Sequence, residues 1–152
     1  MTQGKHRILI VDDDVDMLEL LEVLLGDAFD VAVAEGGEQA LAAVQQGSFD
    51  AIVLDLMMPQ LDGEAVMERL RAMRCETPVV LVSALAEVHA RARAIGAYGG
   101  ERKPVDIERL KALVESAIAS RGEEGGSSGS QGNAPQDPED DRAMDARSPA
   151  MR

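Results

Sequence analysis

Short runs built only from aliphatic and β-branched residues recur along the first 120 residues, and a stretch with helical spacing follows each of them. Arg7–Val11, Val31–Ala34, Ala51–Leu54 and Val79–Val82 read as strands of this kind. A strand that is apolar at every position has no side to turn to water, so both of its faces must be covered. Parallel sheets flanked by helices meet that demand. After the first strand, Asp14 reads as an N-cap, and Met17, Leu18, Leu20, Leu21, Leu24 and Leu25 follow at helical spacing up to a stop at Gly26. Gly37–Gln46 closes at Gly47, Gly63–Met73 carries Val66, Met67, Leu70 and Met73 on one face, and Ala86–Ile95 ends at Gly96. A last helix over Asp106–Ser120 sets Ile107, Leu110, Val114 and Ile118 on one side. The unit repeats about five times, which predicts an α/β, doubly wound, five-stranded parallel sheet of order 2-1-3-4-5, flavodoxin-like. A barrel of this kind needs about eight units.

Aromatic residues make up 2% of the chain, so the core must be aliphatic. No apolar run approaches the roughly 20 residues of a membrane span. The single cysteine, Cys75, cannot form an internal disulfide, which fits a reducing compartment and a cytoplasmic protein. The net charge of −13 argues against nucleic acid and against an anionic membrane surface as direct partners, because both select cationic patches. Residues 1–120 are expected to form one domain. Residues 121–152, rich in Gly, Ser, Pro and acids with almost no large apolar side chain, are expected to be a disordered tail.

In an open α/β sheet, ligands bind outside the carboxyl ends of the strands, where the winding reverses. The first strand ends in Asp12-Asp13-Asp14 and the third in Asp55. With Asp14 taken up as a cap, three carboxylates converge on one cleft between neighbouring strands. Two carboxylates about 6 Å apart repel by roughly 3 kcal/mol at an effective dielectric of about 20, so such a site calls for a cation. Oxygen ligands without His or Cys favour Mg²⁺ or Ca²⁺, and a partial shell with room for water and phosphate favours Mg²⁺. Any one of these acids alone would more often be a turn or cap residue; their combination carries the argument. Ser83 at the end of the fourth strand and Lys103 after the fifth add a hydroxyl and an ammonium, a set suited to phosphoryl oxygens.

The stretches ILIVDDD, DAIVLDLMMPQLDG, TPVVLVSA and KP, in this order and spacing, resemble the receiver domain of two-component response regulators, over residues 5 to 120. The resemblance implies that Asp55 is the phosphoacceptor and that Asp13 ligates Mg²⁺ directly. It further implies that Asp12 acts on the ion through water and that the Met57 carbonyl is a further ligand. Ser83, the Ala84 amide and Lys103 would then bind phosphoryl oxygens, and Pro104 would follow Lys103 in cis. The fifth strand departs from the family pattern: Gly100 and Glu101 stand where an aromatic and an apolar residue are usual. The family couples the hydroxyl at Ser83 to rotation of that aromatic. Tyr98, two residues earlier, is expected on the same face of the strand but displaced by about 6.5 Å. Two glycines and a glutamate also weaken the strand.

These features predict a stand-alone response regulator rather than a turnover enzyme. It would take a phosphoryl group from a histidine kinase or histidine phosphotransfer protein, then act by binding a downstream protein, with a dimer through the last helix left open. The alternative is a pseudo-receiver that binds proteins without phosphorylation. A phosphatase with an aspartyl nucleophile fits poorly, because Met57 stands where such an enzyme needs its general acid.

Overall fold

The computed structural model describes residues 4–127, with side chains through Arg121. Five parallel strands are ordered β2-β1-β3-β4-β5: β1 His6–Val11, β2 Phe29–Ala34, β3 Ala51–Asp55, β4 Val79–Ser83 and β5 Gly99–Arg102. The helices are α1 Val15–Leu25, α2 Gly37–Gln46, α3 Gly63–Ala72, α4 Val88–Ile95 and α5 Ile107–Ser127. The flavodoxin-like fold expected from the βα pattern is the one observed.

Strand alternation sorts the core into two layers. Leu9, Val11, Ile52, Leu54, Val79 and Leu81 face α2, α3 and α4, where they meet Leu41, Val66, Leu70 and Val88. Ile8, Ile10, Val53, Val80 and Val82 face the other way, onto Leu18, Leu21 and Leu25 of α1 and Leu110 and Val114 of α5. β1, β3 and β4 are thus covered on both faces, as their unbroken apolar sequences require.

Local signals set the ends of the elements. Asp14 caps α1, its side chain accepting from the N–H groups of Asp16 and Met17. Asp62 caps α3 by accepting from Ala65 N–H at 2.9 Å. Gly96 ends α4 in the left-handed conformation, φ 82°, which a glycine enters without steric cost.

One expected element, β5, forms against its composition, and one, the last helix, runs longer than the sequence reading. β5 forms despite its glycines, in register with β4 over Val80–Gly99, Leu81–Gly100, Val82–Glu101 and Ser83–Arg102. Ladder hydrogen bonds need only backbone groups, and neighbours fill the space that side chains would occupy. A Cβ on Gly99 would stand 3.1 Å from Leu113, and one on Gly100 3.1 Å from Val88. The last helix continues past Ser120 to Ser127, with no proline and no left-handed glycine to end it there. The chain divides into two units, Met1–Ile118 and Ala119–Arg152; the sheet and the site described below belong to the first. The rest of the expected tail, 128–152, lies outside the described residues.

Candidate phosphoacceptor site

The carboxyl ends of β1 and β3 stand side by side, Val11 beside Leu54 in register. The next residue of each strand therefore carries a carboxylate into the same cleft. Asp12 and Asp55 are buried, at 3% and 4% exposure, whereas Asp13 is open to water. One carboxylate oxygen from each of Asp12, Asp13 and Asp55 lies within 4.8 Å of the others. Backbone groups hold two of them in place: Asp14 N–H donates to Asp12 Oδ1 at 2.9 Å, and Met57 N–H to Asp55 Oδ1 at 3.3 Å. The turn after β3 is close-built. A Cβ on Gly63 would meet the Asp55 carbonyl and Leu56 Cα at 2.8 Å, so the start of α3 can approach β3 only as glycine.

β5 delivers the cation. Lys103 Nζ lies 3.2 Å from Asp12 Oδ2 and 3.6 Å from Asp55 Oδ1. Its own N–H donates to the Ser83 carbonyl at 2.8 Å, which extends the β4–β5 ladder to the site. The peptide between Lys103 and Pro104 is cis. Burial works against the charge on Lys103, but the carboxylates of Asp55 and Asp12 outweigh it and raise the ammonium's pKa. Asp55 moves the opposite way in stability terms. Burial first and the Asp12 carboxylate second push its pKa from 3.8 up to about 6, against the lowering pull of Lys103 and of the Met57 N–H. One ammonium therefore does not neutralise the cleft. The clustered hard oxygens, three acids against one base, fit a divalent cation held by Asp12, Asp13 and Asp55.

Ser83 is fully buried at the end of β4, its Oγ accepting from Leu85 N–H at 3.1 Å. Met57 is exposed, and its N–H faces Asp55. Tyr98 does not lie as the strand parity suggests. Gly100 faces α4, but the Tyr98 hydroxyl reaches the other side of the sheet and hydrogen-bonds Ser116 Oγ of α5 at 2.6 Å. Tyr98 precedes β5 at the sheet's edge, where no further strand constrains its side chain, so the alternation of strand faces does not govern it. Two contributors escaped the sequence reading. Gly63 was visible only as the first residue of a helix. Arg102, whose Nε donates to the Ala84 carbonyl at 3.4 Å, was signalled by its place beside Lys103 and opposite Ser83.

The model of the response regulator receiver domain matches residues 8–115. The chain is 36% identical over 128 residues to the transcriptional regulatory protein ZraR of Salmonella typhimurium, covering 82% of this chain and 29% of ZraR. It is 40% identical over 119 residues to the transcriptional regulatory protein PrrA of Mycobacterium tuberculosis, covering 76% of this chain and 51% of PrrA. Among solved structures, the receiver domain of the Francisella response regulator 1452 superposes with a TM-score of 0.72 at 29% identity, over 77% of this chain and 99% of that one. Both regulators are longer than the matched region, and the expected stand-alone existence gains no support from them. Their names likewise remove support from the expectation, drawn from charge, that nucleic acid is no partner. Carboxylates, lysine and buried serine at the strand ends agree with the family match over residues 8–115: the chain belongs to the response regulator receiver domains.

Proposed function

We propose that this protein is a phosphorylation-switched signalling module that accepts a phosphoryl group on Asp55. Receiver domains are phosphoacceptors in two-component signalling rather than turnover enzymes; they bind Mg²⁺ at an acidic pocket and interact with histidine kinases or phosphotransfer proteins. The observation that carries the reading here is the position of Asp55, buried at the end of β3 with Asp12 and Lys103 against it.

An Asp55 carboxylate oxygen attacks the phosphorus of a phosphohistidine. The phosphorus–nitrogen bond breaks, its electron pair stays on the imidazole nitrogen, and an acyl phosphate forms on Asp55. Water later attacks that phosphorus and restores the carboxylate with release of inorganic phosphate. Lys103 offsets negative charge on the incoming group, and the Ser83 hydroxyl and the Ala84 N–H donate to its oxygens. Asp12, Asp13, Asp55 and the Met57 carbonyl are the residues to hold Mg²⁺, which supplies charge neutralisation at the phosphoryl oxygens. Output passes to a downstream protein through surface contact, in the cytoplasm.

Incubation with Mg²⁺ and a small phosphodonor, followed by intact-mass measurement, tests this. One phosphoryl group should add to the wild type and none to Asp55→Asn. A second reading, a module that binds proteins without being phosphorylated, is favoured by Gly100 in place of the usual aromatic. Absence of any mass gain on the wild type would select it.

A further inference from the structure

Two side chains hold the peptide link that joins Ala84 to Leu85. Its carbonyl accepts from Arg102 Nε at 3.4 Å, and its N–H donates to Ser83 Oγ at 3.1 Å. Ser83 and Arg102 are register partners on β4 and β5, and paired residues of parallel strands project to the same face. That face is the one covered by α4, since of the previous pair on it Leu81 shares a core layer with Val88 of α4 and a Cβ on Gly100 would stand 3.1 Å from Val88. The link continues into the helix. The Leu85 carbonyl accepts from Val88 N–H at 3.3 Å, and Val88, fully buried, occupies the space over Gly100. Ser83, the loop peptide, the start of α4 and the end of β5 are thus joined with no aromatic ring among them.

We propose that Arg102 is a positioning residue that sets the loop between β4 and α4 and, through it, conveys the state of Asp55 to α4. The inference rests on reading Asp55 as the phosphoacceptor. While Asp55 is free, the guanidinium holds the Ala84 carbonyl and Ser83 Oγ holds the Leu85 N–H, so the peptide is fixed at both ends. A phosphoryl group on Asp55 draws the single hydrogen of the Ser83 hydroxyl and the Ala84 N–H toward its oxygens. The hydroxyl must turn to donate, which bends its bond from Leu85 N–H, and because that N–H shares one rigid peptide plane with the Ala84 carbonyl, moving it swings the carbonyl too. The Arg102 bond is already long for a hydrogen bond, so it is the contact that yields. The Leu85 carbonyl moves with the loop and carries the first turn of α4. In this arrangement Arg102 and Val88 do what a rotating aromatic does elsewhere in the family, and Gly100 is the residue that leaves Val88 room to do it.

Amide spectra of the full chain test the relay, recorded with and without Mg²⁺ and beryllofluoride, a phosphoryl mimic, on wild type, Arg102→Ala and Arg102→Lys. In the wild type the mimic should shift the amides of Asp55 and Met57, together with those of Leu85 and Val88 and the Arg102 Nε–H. In Arg102→Ala without the mimic, Leu85 and Val88 should already lie part of the way along the same line of shifts. Phosphorylation by a small donor should be a few-fold faster in that variant, because the loop is no longer held back. Arg102→Lys keeps a cationic donor and should restore both properties toward wild type. A role for Arg102 in stability alone would lower the melting temperature without moving those amides along that line. If Asp55 and Met57 respond to the mimic while Leu85 and Val88 of Arg102→Ala keep their wild-type positions, the relay is wrong and the phosphoacceptor reading stands. If Asp55 and Met57 do not respond in the wild type, both fall.

Discussion

On the proposed reading Asp55 is held by opposed demands: to attack phosphorus it must be ionised, yet burial and Asp12 favour its neutral form up to about pH 6. Its pKa in the folded protein is raised above the unfolded value near 3.8, so the native state binds the proton more tightly than the unfolded chain does. Without metal, stability from this group is therefore greatest below about pH 4 and declines as pH rises through 6. The ceiling on that decline is about 3 kcal/mol, from roughly 1.4 kcal/mol per pKa unit. Asp55→Asn removes the charge at nearly constant shape, and we expect it to melt at a higher temperature than wild type at pH 7.5 in chelator, with the gap closing toward pH 4. Millimolar Mg²⁺ should raise the wild-type melting temperature and move the Asn variant much less. Thermal melts at both pH values check this, and a wild type insensitive to Mg²⁺ would count against the metal site. The acids were legible in the sequence because they follow directly on apolar runs, and Lys103 because it stands before Pro104 after the expected fifth strand; strand direction then brings them to one edge. Tyr98 was not legible, because the face of a residue outside the ladder depends on which neighbour its hydroxyl finds, here Ser116.

At the level of elements, the stretches read most securely were those whose pattern answers to one force. α2, Gly37–Gln46, agrees with expectation at both ends, where Gly36 and Gly47 flank it. β5 answers to two forces that oppose each other. Its composition disfavours a strand, but the backbone ladder to β4 and the packing of Leu113 and Val88 over the two glycines sustain it. Gly100 is thereby committed to small size. Restoring an aromatic with Gly100→Tyr should drive into Val88 and destabilise the domain by about 1–3 kcal/mol, rather than repair a missing switch. The junction of β3 and α3 is stricter still. At Gly63 the obstacle to a Cβ is backbone on both sides, the Asp55 carbonyl and Leu56 Cα, which no rotamer change relieves. Gly63→Ala is expected to cost about 2–4 kcal/mol in chemical denaturation and to slow phosphorylation of the fraction that stays folded, since it displaces the strand end that carries Asp55.

Charge is shared unevenly across the whole domain. Residues 4–62, which supply β1, β2, β3, α1 and α2, hold thirteen Asp and Glu against two Lys and Arg, whereas residues 63–118 hold eight against nine. The sheet order separates these halves in space: β2 forms one edge and β5 the other, and Asp55, the proposed phosphoacceptor, ends β3, where they meet. The acidic half faces any incoming phosphodonor with a repulsive field that Lys103 offsets only at contact range. A small dianionic donor must cross that field, and salt screens it over a Debye length of about 10 Å at 0.1 M. With Mg²⁺ held saturating, the initial rate of phosphorylation by such a donor should therefore rise a few-fold as ionic strength increases from about 10 to 200 mM. A histidine phosphodonor protein that presents a basic rim should show the opposite slope, because screening removes an attraction. Intact-mass time courses across a salt series give both slopes. A rate from the small donor that falls with salt would mean that the cleft, with Lys103 and its metal, attracts anions from a distance and overrides the charge of the molecule around it.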